Sequence, residues 1–480
     1  MEQRWTLSFN DGATWPSTVV PLNGSKLTIV QERDLENGQI FFRKKINSAI
    51  RFGKGDYQQF LDIERQGASR CNTILVRVEL KCANTWQELW RGKFSTGSGK
   101  FELDRCVFEV KPDTVDRYTC MLEIYDNLKN VLEVSPTPIE AFFPGPPIPF
   151  VRPYDFARYF EEVAQFLVDE LDCDLGEVQS DFFEWNAPGT APGYSPGINY
   201  VTGGTNQLDR LYILQKTDAI GVTPPSNEAT IGEMSLKQMF SYLRSMFNVY
   251  WDIDDDGNIR IEHWKYWVFP VGIDVRTFTK NIEPFTYNHL SLEIPRYEKF
   301  KWAEAGGVDF IGKDIVYSGP CVLTDGRDAV KETAIPITTD WLFLVSAGNT
   351  VAPNGFAVFA TATNSPSPDL VINATGALTG NTQVNAPLSW ANLHRDYFTW
   401  NRYLQYGNMN GVDVQFDGWQ PNIEQEGVGV PLCCDILTFD PKDQIVSRLG
   451  QAIGNINAVV EEAEYSLHDY RLRMKLRYSY

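Results

Sequence analysis

The sequence lacks several features that define whole classes of protein. No stretch approaches the roughly 20 consecutive apolar residues that a membrane-spanning helix needs, so no such helix is expected. The first residues, MEQRWTLSFNDG, contain neither the basic start nor the apolar run of a secretion signal. We therefore expect the chain to begin folding in the cytoplasm.

Residues that commonly bind metals or carry out catalysis are scarce. Only four histidines occur, and the chain has no H-E-x-x-H or G-x-S-x-G motif. The eight cysteines form no C-x-x-C pair, which predicts buried, reduced thiols in strands. These patterns predict no cofactor. Basic residues are also few, since 43 Lys and Arg stand against 62 Asp and Glu, and the net charge of −19 disfavours sequence-specific binding to nucleic acid.

Aromatic residues, by contrast, are abundant, at 13% of the chain. That share favours broad β-sheets and extensive contact surfaces. Short apolar segments separated by turn residues predict strands throughout residues 1–135, including 73–80, 106–110 and 117–124. The final strand, near the C-terminus, alternates regularly between apolar and basic side chains.

We predict a β-dominated α+β fold with several domains. β-barrel-like or sandwich-like domains at both ends are expected to flank a small α/β middle domain. Seven prolines between residues 136 and 153 predict a stiff, extended linker. The predicted units are an N-terminal β domain (1–135), this linker (136–153), a middle α+β domain (154–270) and a C-terminal β domain (271–480) that contains a low-charge block (340–385).

The middle domain is predicted to contain two amphipathic helices. The first begins with Pro153 in its first turn and repeats apolar residues every three or four positions as far as Leu171. The second covers about residues 235–250, where Ser235 and Gln238 form a capping box. It leads into WDIDDDGNIRIEHW, which predicts a strand, a turn and a second strand.

The acidic turn of that hairpin resembles the start of a calcium-binding loop. Asp252, Asp254 and Asp256 occupy its first, third and fifth positions, but the twelfth position is His263. A strand follows the turn where a calcium loop would enter a helix. We therefore interpret the acidic residues as hairpin-turn residues and keep calcium as the alternative.

Two further stretches are candidate interfaces. Residues 181–207 form a long loop with three Pro-Gly steps, and Trp185, Tyr194 and Tyr200 lie among them. The loop is either a contact element or a passive connection. On the last strand the basic residues either pair with acidic strands of the same subunit or form a zipper between subunits, and they are Arg471, Arg473, Lys475 and Arg477.

Three stretches together resemble virion proteins of tailed phages that infect Bacteroidota. They are ELWRGKFSTGSGKFELDRCVFEVKPDTVDRY (88–118), SLKQMFSYLRSMFNVYWDIDDDGNIRIEHWKYW (235–267), and NAPLSWANLHRDYFTWNRYLQYGNMNGVDVQFDGW with the terminal strand (385–480). The middle stretch is similar to the helix-then-hairpin element of tail-hub and baseplate-hub proteins. The Pro-Gly loop and the low-charge block do not match that pattern.

The resemblance implies β-barrel-like domains, a homo-oligomeric ring of three or six copies in a virion tail, other tail proteins as partners and no enzymatic role. DNA would be only a passing cargo, and assembly would take place in the host cytoplasm. Two other functions stay open. Aromatic residues also stack on sugars, which allows a carbohydrate- or receptor-binding module. The many carboxylates allow a glycoside hydrolase, which needs only two of them correctly spaced.

Overall fold

The computed structural model of the protein describes a large part of the chain. The described residues are 2–10, 12–35, 37–135, 139–143, 150–154, 158–180, 208–215, 232–247, 249–263, 267, 270–278, 280–289, 296–302, 313–318, 322–323, 330–337, 355–362, 405–409, 412–416, 423–432, 434–437 and 439–478.

The described part of residues 1–135 contains eleven strands and two α-helices. The strands are β1 (Gln3–Ser8), β2 (Ser17–Val19), β3 (Thr28–Glu32), β4 (Arg43–Ile46), β5 (Ile50–Phe52), β6 (Ile74–Cys82), β7 (Thr85–Phe94), β8 (Lys100–Glu102), β9 (Val107–Val110), β10 (Asp113–Thr114) and β11 (Lys129–Asn130). The helices are α1 (Lys54–Arg65) and α2 (Thr119–Ile124).

The described residues that follow, as far as His263, form short strands and two amphipathic helices. The strands are β12 (Ile139–Phe143), β13 (Phe150–Tyr154), β14 (Arg158–Tyr159), β15 (Val178–Gln179), β16 (Leu208–Gln215), β17 (Glu233–Met234), β18 (Val249–Ile253) and β19 (Ile259–His263). The helices are α3 (Phe160–Asp169) and α4 (Leu236–Phe247). Among the described residues, no helix has both the length and the apolar character needed to span a bilayer.

The described residues of the remaining chain again lie mainly in strands. They are β20 (Val271–Asp274), β21 (Asn288–His289), β22 (Tyr297–Trp302), β23 (Lys313–Ser318), β24 (Val330–Ile335), β25 (Phe356–Ala362), β26 (Gln405–Met409), β27 (Val412–Phe416), β28 (Ile423–Pro431), β29 (Gln444–Val446), β30 (Val459–Ser466) and β31 (Arg471–Tyr478). Two short helices, α5 (Cys434–Leu437) and α6 (Arg448–Gly454), lie between them.

Two sheets contribute most of the shared core. The first has the strand order β10-β7-β6-β1-β2, and the second has the order β21-β28-β31-β30-β3-β4. The second sheet joins strands from both ends of the chain, because β3 pairs with β30. Its inner face and that of the first sheet bury one apolar cluster, which includes Leu7, Val76, Leu472 and Tyr478. The ends of the chain therefore share a core although they lie far apart in sequence.

The β-dominated class is confirmed. Of the two predicted forms, barrel-like and sandwich-like, the barrel is wrong for the part of the chain that the structure describes, and the predicted domain layout stays a prediction. The edge strands β21 and β4 of the six-stranded sheet do not pair with each other, and the other described sheets are also open. A third large sheet, in the order β24-β22-β23-β26-β27, is mixed because β22 and β24 run parallel.

Several local predictions are confirmed. The capping box of α4 forms, with the Ser235 amide donating to Gln238 Oε1 at 3.0 Å and the Gln238 amide donating to Ser235 Oγ at 3.2 Å. β18 and β19 pair as the predicted antiparallel hairpin. Along β31, the apolar side chains Leu472, Met474 and Leu476 are buried, as the alternation predicts.

Three local predictions need correction. Residues 119–124, expected in a strand, form α2, because the side chain of Asp116 accepts the Tyr118 amide and the Thr119 hydroxyl and so starts a helical turn. The first amphipathic helix begins at Phe160, and Pro153 lies in β13. Residues 139–143 and 150–154 pair as an antiparallel hairpin, where a stiff linker of extended polyproline geometry was predicted.

The cysteine prediction is also largely wrong for the described residues. Cys120 and Cys173 form a disulfide that ties α2 to the segment after α3. Cys71 and Cys106 are exposed, whereas Cys82 forms no disulfide and lies buried in β6, as predicted. Two cysteines 53 positions apart give no local pattern that would reveal their pairing.

Candidate functional site

The basic residues of β31 lie on the outer face of the six-stranded sheet, between two strands that carry acidic residues. β31 pairs with β28 on one side and with β30 on the other. Lys475 Nζ lies 3.0 Å from Glu424 Oε2 and 3.5 Å from Glu461 Oε2. Arg477 contacts the same two carboxylates, at 3.1 Å and 2.5 Å. Lys475 and Arg477 therefore both form ion pairs within one chain.

The other two basic side chains also have partners in the chain. Arg473 pairs with Asp469 at 2.6 Å, and Arg471 Nη1 donates to the backbone oxygen of Lys280 at 3.0 Å. Cross-strand pairing within the subunit accounts for Lys475 and Arg477, since acidic residues on β28 and β30 face β31 from both sides. A zipper between subunits stays a prediction.

Glu424 is the most buried carboxylate of this charged face, with 9% of its side chain exposed. Burial raises the pKa of Glu424, but hydrogen bonds and charges from Lys475 and Arg477 outweigh burial, and the pKa lies below its usual value. Burial likewise lowers the pKa of Lys475, while Glu424 and Glu461 raise it by more. Both groups therefore remain charged near neutral pH.

The acidic hairpin is held by its own turn. Asp254 Oδ1 accepts the amides of Asp256 and Asn258, both at 2.9 Å, and Gly257 has a φ of 88°, which glycine adopts readily. Asp255 points outward and pairs with Arg117 at 2.6 Å. These contacts are those of a β-hairpin turn.

Asp252, the residue that would begin a calcium loop, is buried and already paired. Tyr118 donates its hydroxyl to Asp252 Oδ1 at 2.6 Å, and Lys442 Nζ lies 2.6 Å from Oδ2. Both oxygens are therefore engaged by side chains. Within the described ranges, no group of three His, Cys, Asp or Glu side chains could hold a metal ion.

Aromatic rings surround this ion pair and join distant parts of the chain. The rings of Phe41 and Tyr118 stack with centroids 3.7 Å apart, and Trp251 lies 4.8 Å from Phe41. We call Phe41, Tyr118, Trp251, Asp252 and Lys442 the Asp252 junction. Burial and the charge of Asp252 raise the pKa of Tyr118 far above its usual value, so its hydroxyl stays protonated and donates.

The outermost part of the six-stranded sheet exposes apolar side chains. We call residues 281–289 the edge segment; it includes β21 and runs antiparallel to β28. Ile282 is 49% exposed, Phe285 63% and Tyr287 42%. Single exposed apolar residues are common on proteins, whereas several in one short segment at a sheet edge make that segment a candidate contact surface.

The edge segment is held in place by backbone and side-chain hydrogen bonds. Ile282 exchanges two backbone hydrogen bonds with Gly429, at 2.7 and 2.8 Å. Gln425 Nε2 donates to the Pro284 oxygen at 2.6 Å. The Glu283 carboxylate accepts the amides of Arg448 and Leu449 at the start of α6. The exposed side chains are therefore presented from an ordered strand-like segment.

The opposite edge of the same sheet is protected. β4 has the sequence RKKI, and basic residues on an edge strand discourage pairing with another chain. β10 of the neighbouring sheet also covers it, since Thr114 Oγ1 donates to the Lys44 oxygen at 2.6 Å. The two edges of this sheet therefore differ: the β4 edge is basic and contacted by β10, whereas the edge segment exposes apolar side chains.

The sequence-predicted residues have different outcomes. Trp185, Tyr194 and Tyr200 lie outside the described residues, so their role as interface residues stays a prediction. The structure does not bring the basic residues of β31 and the acidic β18–β19 turn together. Sequence reasoning missed Lys442 and the edge segment. The sequence of the edge segment, NIEPFTYNH, gives a weak sign of a contact surface, since two aromatic residues follow its proline. The sequence around Lys442 gives no sign of its ion pair, because its partner is 190 positions away.

Comparisons with known proteins yield structural matches with low TM-scores and low sequence identity. No family model matches the chain, and no curated protein sequence matches it. Among solved structures, the prophage tail protein gp18 from Listeria monocytogenes EGD-e has a TM-score of 0.34 and 8% identity over 99% of this chain and 94% of its own. The 43 kDa tail protein of prophage MuSo2 from Shewanella oneidensis has a TM-score of 0.31 and 9% identity, over 99% and 98%.

A third likeness is to a chain of the half-lidded Francisella PdpA-VgrG complex. Its TM-score is 0.33 and its identity 9%, and the match covers 99% of this chain and 58% of that one. Two of the three structures named here are thus prophage tail proteins.

Proposed function

We propose that the protein is a non-enzymatic structural component of a phage tail, at the hub or baseplate. Copies would assemble into a ring of three or six in the host cytoplasm and join neighbouring tail proteins in the virion. The similarity of residues 235–267 to the helix-then-hairpin element of tail-hub and baseplate-hub proteins supports this position in the virion.

The observation that supports the proposed assembly is the exposed apolar edge segment. In an isolated chain, Ile282 and Phe285 would remain in water, although the segment that presents them is ordered by backbone hydrogen bonds. Burying a side chain of this size contributes about 1.5–3 kcal/mol when it is fully covered. The two together, each about half exposed, would contribute roughly 2–3 kcal/mol to each contact between copies.

The proposal is tested by measuring the mass of the purified chain with light scattering after size exclusion, together with negative-stain imaging. A trimeric or hexameric ring is expected. The double variant Ile282→Ser/Phe285→Ser should weaken assembly by about 30-fold to 100-fold, which corresponds to about 2–3 kcal/mol. Leu103→Ser is the matched control, because Leu103 is 68% exposed and lies in the turn between β8 and β9, outside the six-stranded sheet.

A strictly monomeric chain at tens of micromolar would contradict this function. Glycan-array binding that Trp185→Ala abolishes would favour the carbohydrate-binding module. Turnover of a polysaccharide would favour the glycoside hydrolase. Neither glycan binding nor polysaccharide hydrolysis is expected of a purely structural tail protein.

A further inference from the structure

The disulfide between α2 and the segment after α3 joins two parts of the chain that both contact the acidic β18–β19 hairpin. At the start of α2, Arg117 Nη1 donates to Asp255 Oδ1 at 2.6 Å, and the Tyr118 hydroxyl donates to Asp252 Oδ1 at 2.6 Å. Cys120 follows in the first turn of α2. One sulfur of the disulfide therefore belongs to a helix whose preceding residues hold the hairpin.

The segment after α3 holds the turn of the same hairpin through its backbone. The Gly176 amide donates to the Gly257 oxygen at 3.0 Å, and the Glu177 amide donates to Asn258 Oδ1 at 3.1 Å. A Cβ at position 176 would lie 2.1 Å from Asn258 Oδ1, so the segment approaches the turn closely. Because Cys173 lies shortly before Gly176, the disulfide covalently links the two segments that hold the hairpin.

The backbone on both sides of Cys173 has a conformation that its residues disfavour. The φ angle is 53° at Asp172 and 41° at Asp174, both in the left-handed region. Aspartate enters this region more readily than most residues, but the conformation still costs free energy and persists where surrounding contacts impose it. The disulfide is one such contact. Breaking it should let residues 172–174 relax and weaken the hold of the segment on the turn.

Small thiols can reach the disulfide from solvent. Cys120 is exposed and Cys173 is half-buried, whereas Cys82 lies buried in β6. Exchange between thiols and disulfides needs access to a sulfur, so exposed disulfides are more labile than buried ones. The redox state of this pair should therefore follow that of the surrounding solution while the chain stays folded.

We propose that the Cys120–Cys173 disulfide is a redox-sensitive clasp on the acidic hairpin. When it is closed, it fixes α2 and residues 172–179 against the hairpin; when it is open, residues 172–179 are released from the turn. The inference rests on the proposed function for its setting. The chain would assemble with the clasp open in the host cytoplasm, where thiols are kept reduced, and the clasp would close in the oxidising surroundings of the released virion.

Closing the clasp needs a small disulfide as the oxidant, such as oxidised glutathione. The Cys120 thiolate attacks one sulfur of the small disulfide, whose S–S bond breaks and releases one small thiolate. The Cys173 thiolate then attacks Cys120 Sγ in the mixed disulfide, forms the new S–S bond and releases the second small thiolate. Two electrons pass from the protein thiols to the small disulfide, and the two protons of the protein thiols end on the two small thiols. Excess small thiol reverses both steps.

The test is hydrogen exchange of the full chain, read by mass spectrometry, in millimolar reduced glutathione and in oxidised glutathione. Alkylation with N-ethylmaleimide, mapped by peptide, reports whether Cys120 and Cys173 are thiols. Peptides from residues 170–180 and 252–259 should exchange about 10-fold faster or more in the reducing buffer, because the contacts between them open more often. Residues 74–94, which contain the β6–β7 pair of the first sheet, should stay protected in both buffers.

The double variant Cys120→Ala/Cys173→Ala is the matched control, and it should exchange at the faster rate in both buffers. A disulfide that reduced glutathione cannot open in the folded chain would overturn the clasp, and so would reduction without faster exchange at the turn. Faster exchange across residues 74–94 as well would also overturn it, because the disulfide would then support the whole fold.

Light scattering in the same two buffers separates the clasp from the proposed function. An oligomer whose hairpin turn does not respond to glutathione contradicts the clasp and leaves the ring standing. A monomer whose hairpin turn responds to glutathione contradicts the ring and supports the clasp.

Discussion

Replacing Lys442 with methionine should expose how much the Asp252 junction contributes to stability. The change preserves most of the volume of the side chain and removes its charge. Asp252, of whose side chain 6% is exposed, would lose the ammonium group 2.6 Å from Oδ2. Breaking a buried pair costs about 3–5 kcal/mol, because one charge stays buried without its counterion. Asp252 retains bonds from the Tyr118 hydroxyl and the Ile253 amide, so we expect the low end, about 3 kcal/mol.

The assay is urea unfolding at pH 7, followed by tryptophan fluorescence, since Trp251 lies in the junction. The double variant Asp252→Asn/Lys442→Met removes both charges and should lose only about 1 kcal/mol. Lys45→Met is the matched control, because Lys45 and its partner Glu32 are each 54% exposed and their pair is worth about 0–1 kcal/mol. Our reasoning fails if Lys442→Met loses no more unfolding free energy than Lys45→Met, or if the double variant is less stable than Lys442→Met.

Three other variants test separate parts of the fold. Glu424→Gln should lower the free energy of unfolding by about 1–2 kcal/mol at pH 7. Because the pKa of Glu424 is lowered in the folded state, its contribution to stability is present above its unfolded pKa of about 4.3 and is lost as pH falls through the folded pKa. Urea unfolding should therefore show that the difference in stability between wild type and variant shrinks in acid. Cys120→Ser should cost about 4 kcal/mol, since the disulfide closes a loop with a sequence separation of 53, and a reducing agent should destabilise the wild type but not this variant. Tyr478→Phe should cost about 1–3 kcal/mol in thermal unfolding, because its buried hydroxyl lies between Ser447 and Gln425; a change near zero would refute its role.

The most regular local patterns were predicted correctly. β31 alternates apolar and basic residues over its whole length, so one face had to be buried. α4 combines a capping box with an apolar stripe, and both signals lie within a few residues. The Asp and Gly residues of the β18–β19 turn favour a left-handed backbone, and that too is a local property.

Other parts could not be predicted because their causes are not local. Residues 119–124 are an apolar run that suits a strand or a helix, and the Asp116 turn together with the Cys120–Cys173 disulfide favours the helix. The partners of Lys475 and Arg477 depend on the register of β31 with β28 and β30. The exposed edge could be recognised only after β21 was placed outermost in its sheet.

The sequence by itself determined the β-dominated class, the two amphipathic helices, the acidic hairpin and the alternation of the last strand, because each depends on spacing over a few residues. Only the tertiary structure decided that β3 joins β30 in one sheet, that Lys442 neutralises Asp252, and that Phe285 lies on an open edge. Side-chain spacing sets which face of a strand is apolar, whereas the neighbour of that strand is chosen by packing between residues hundreds of positions apart.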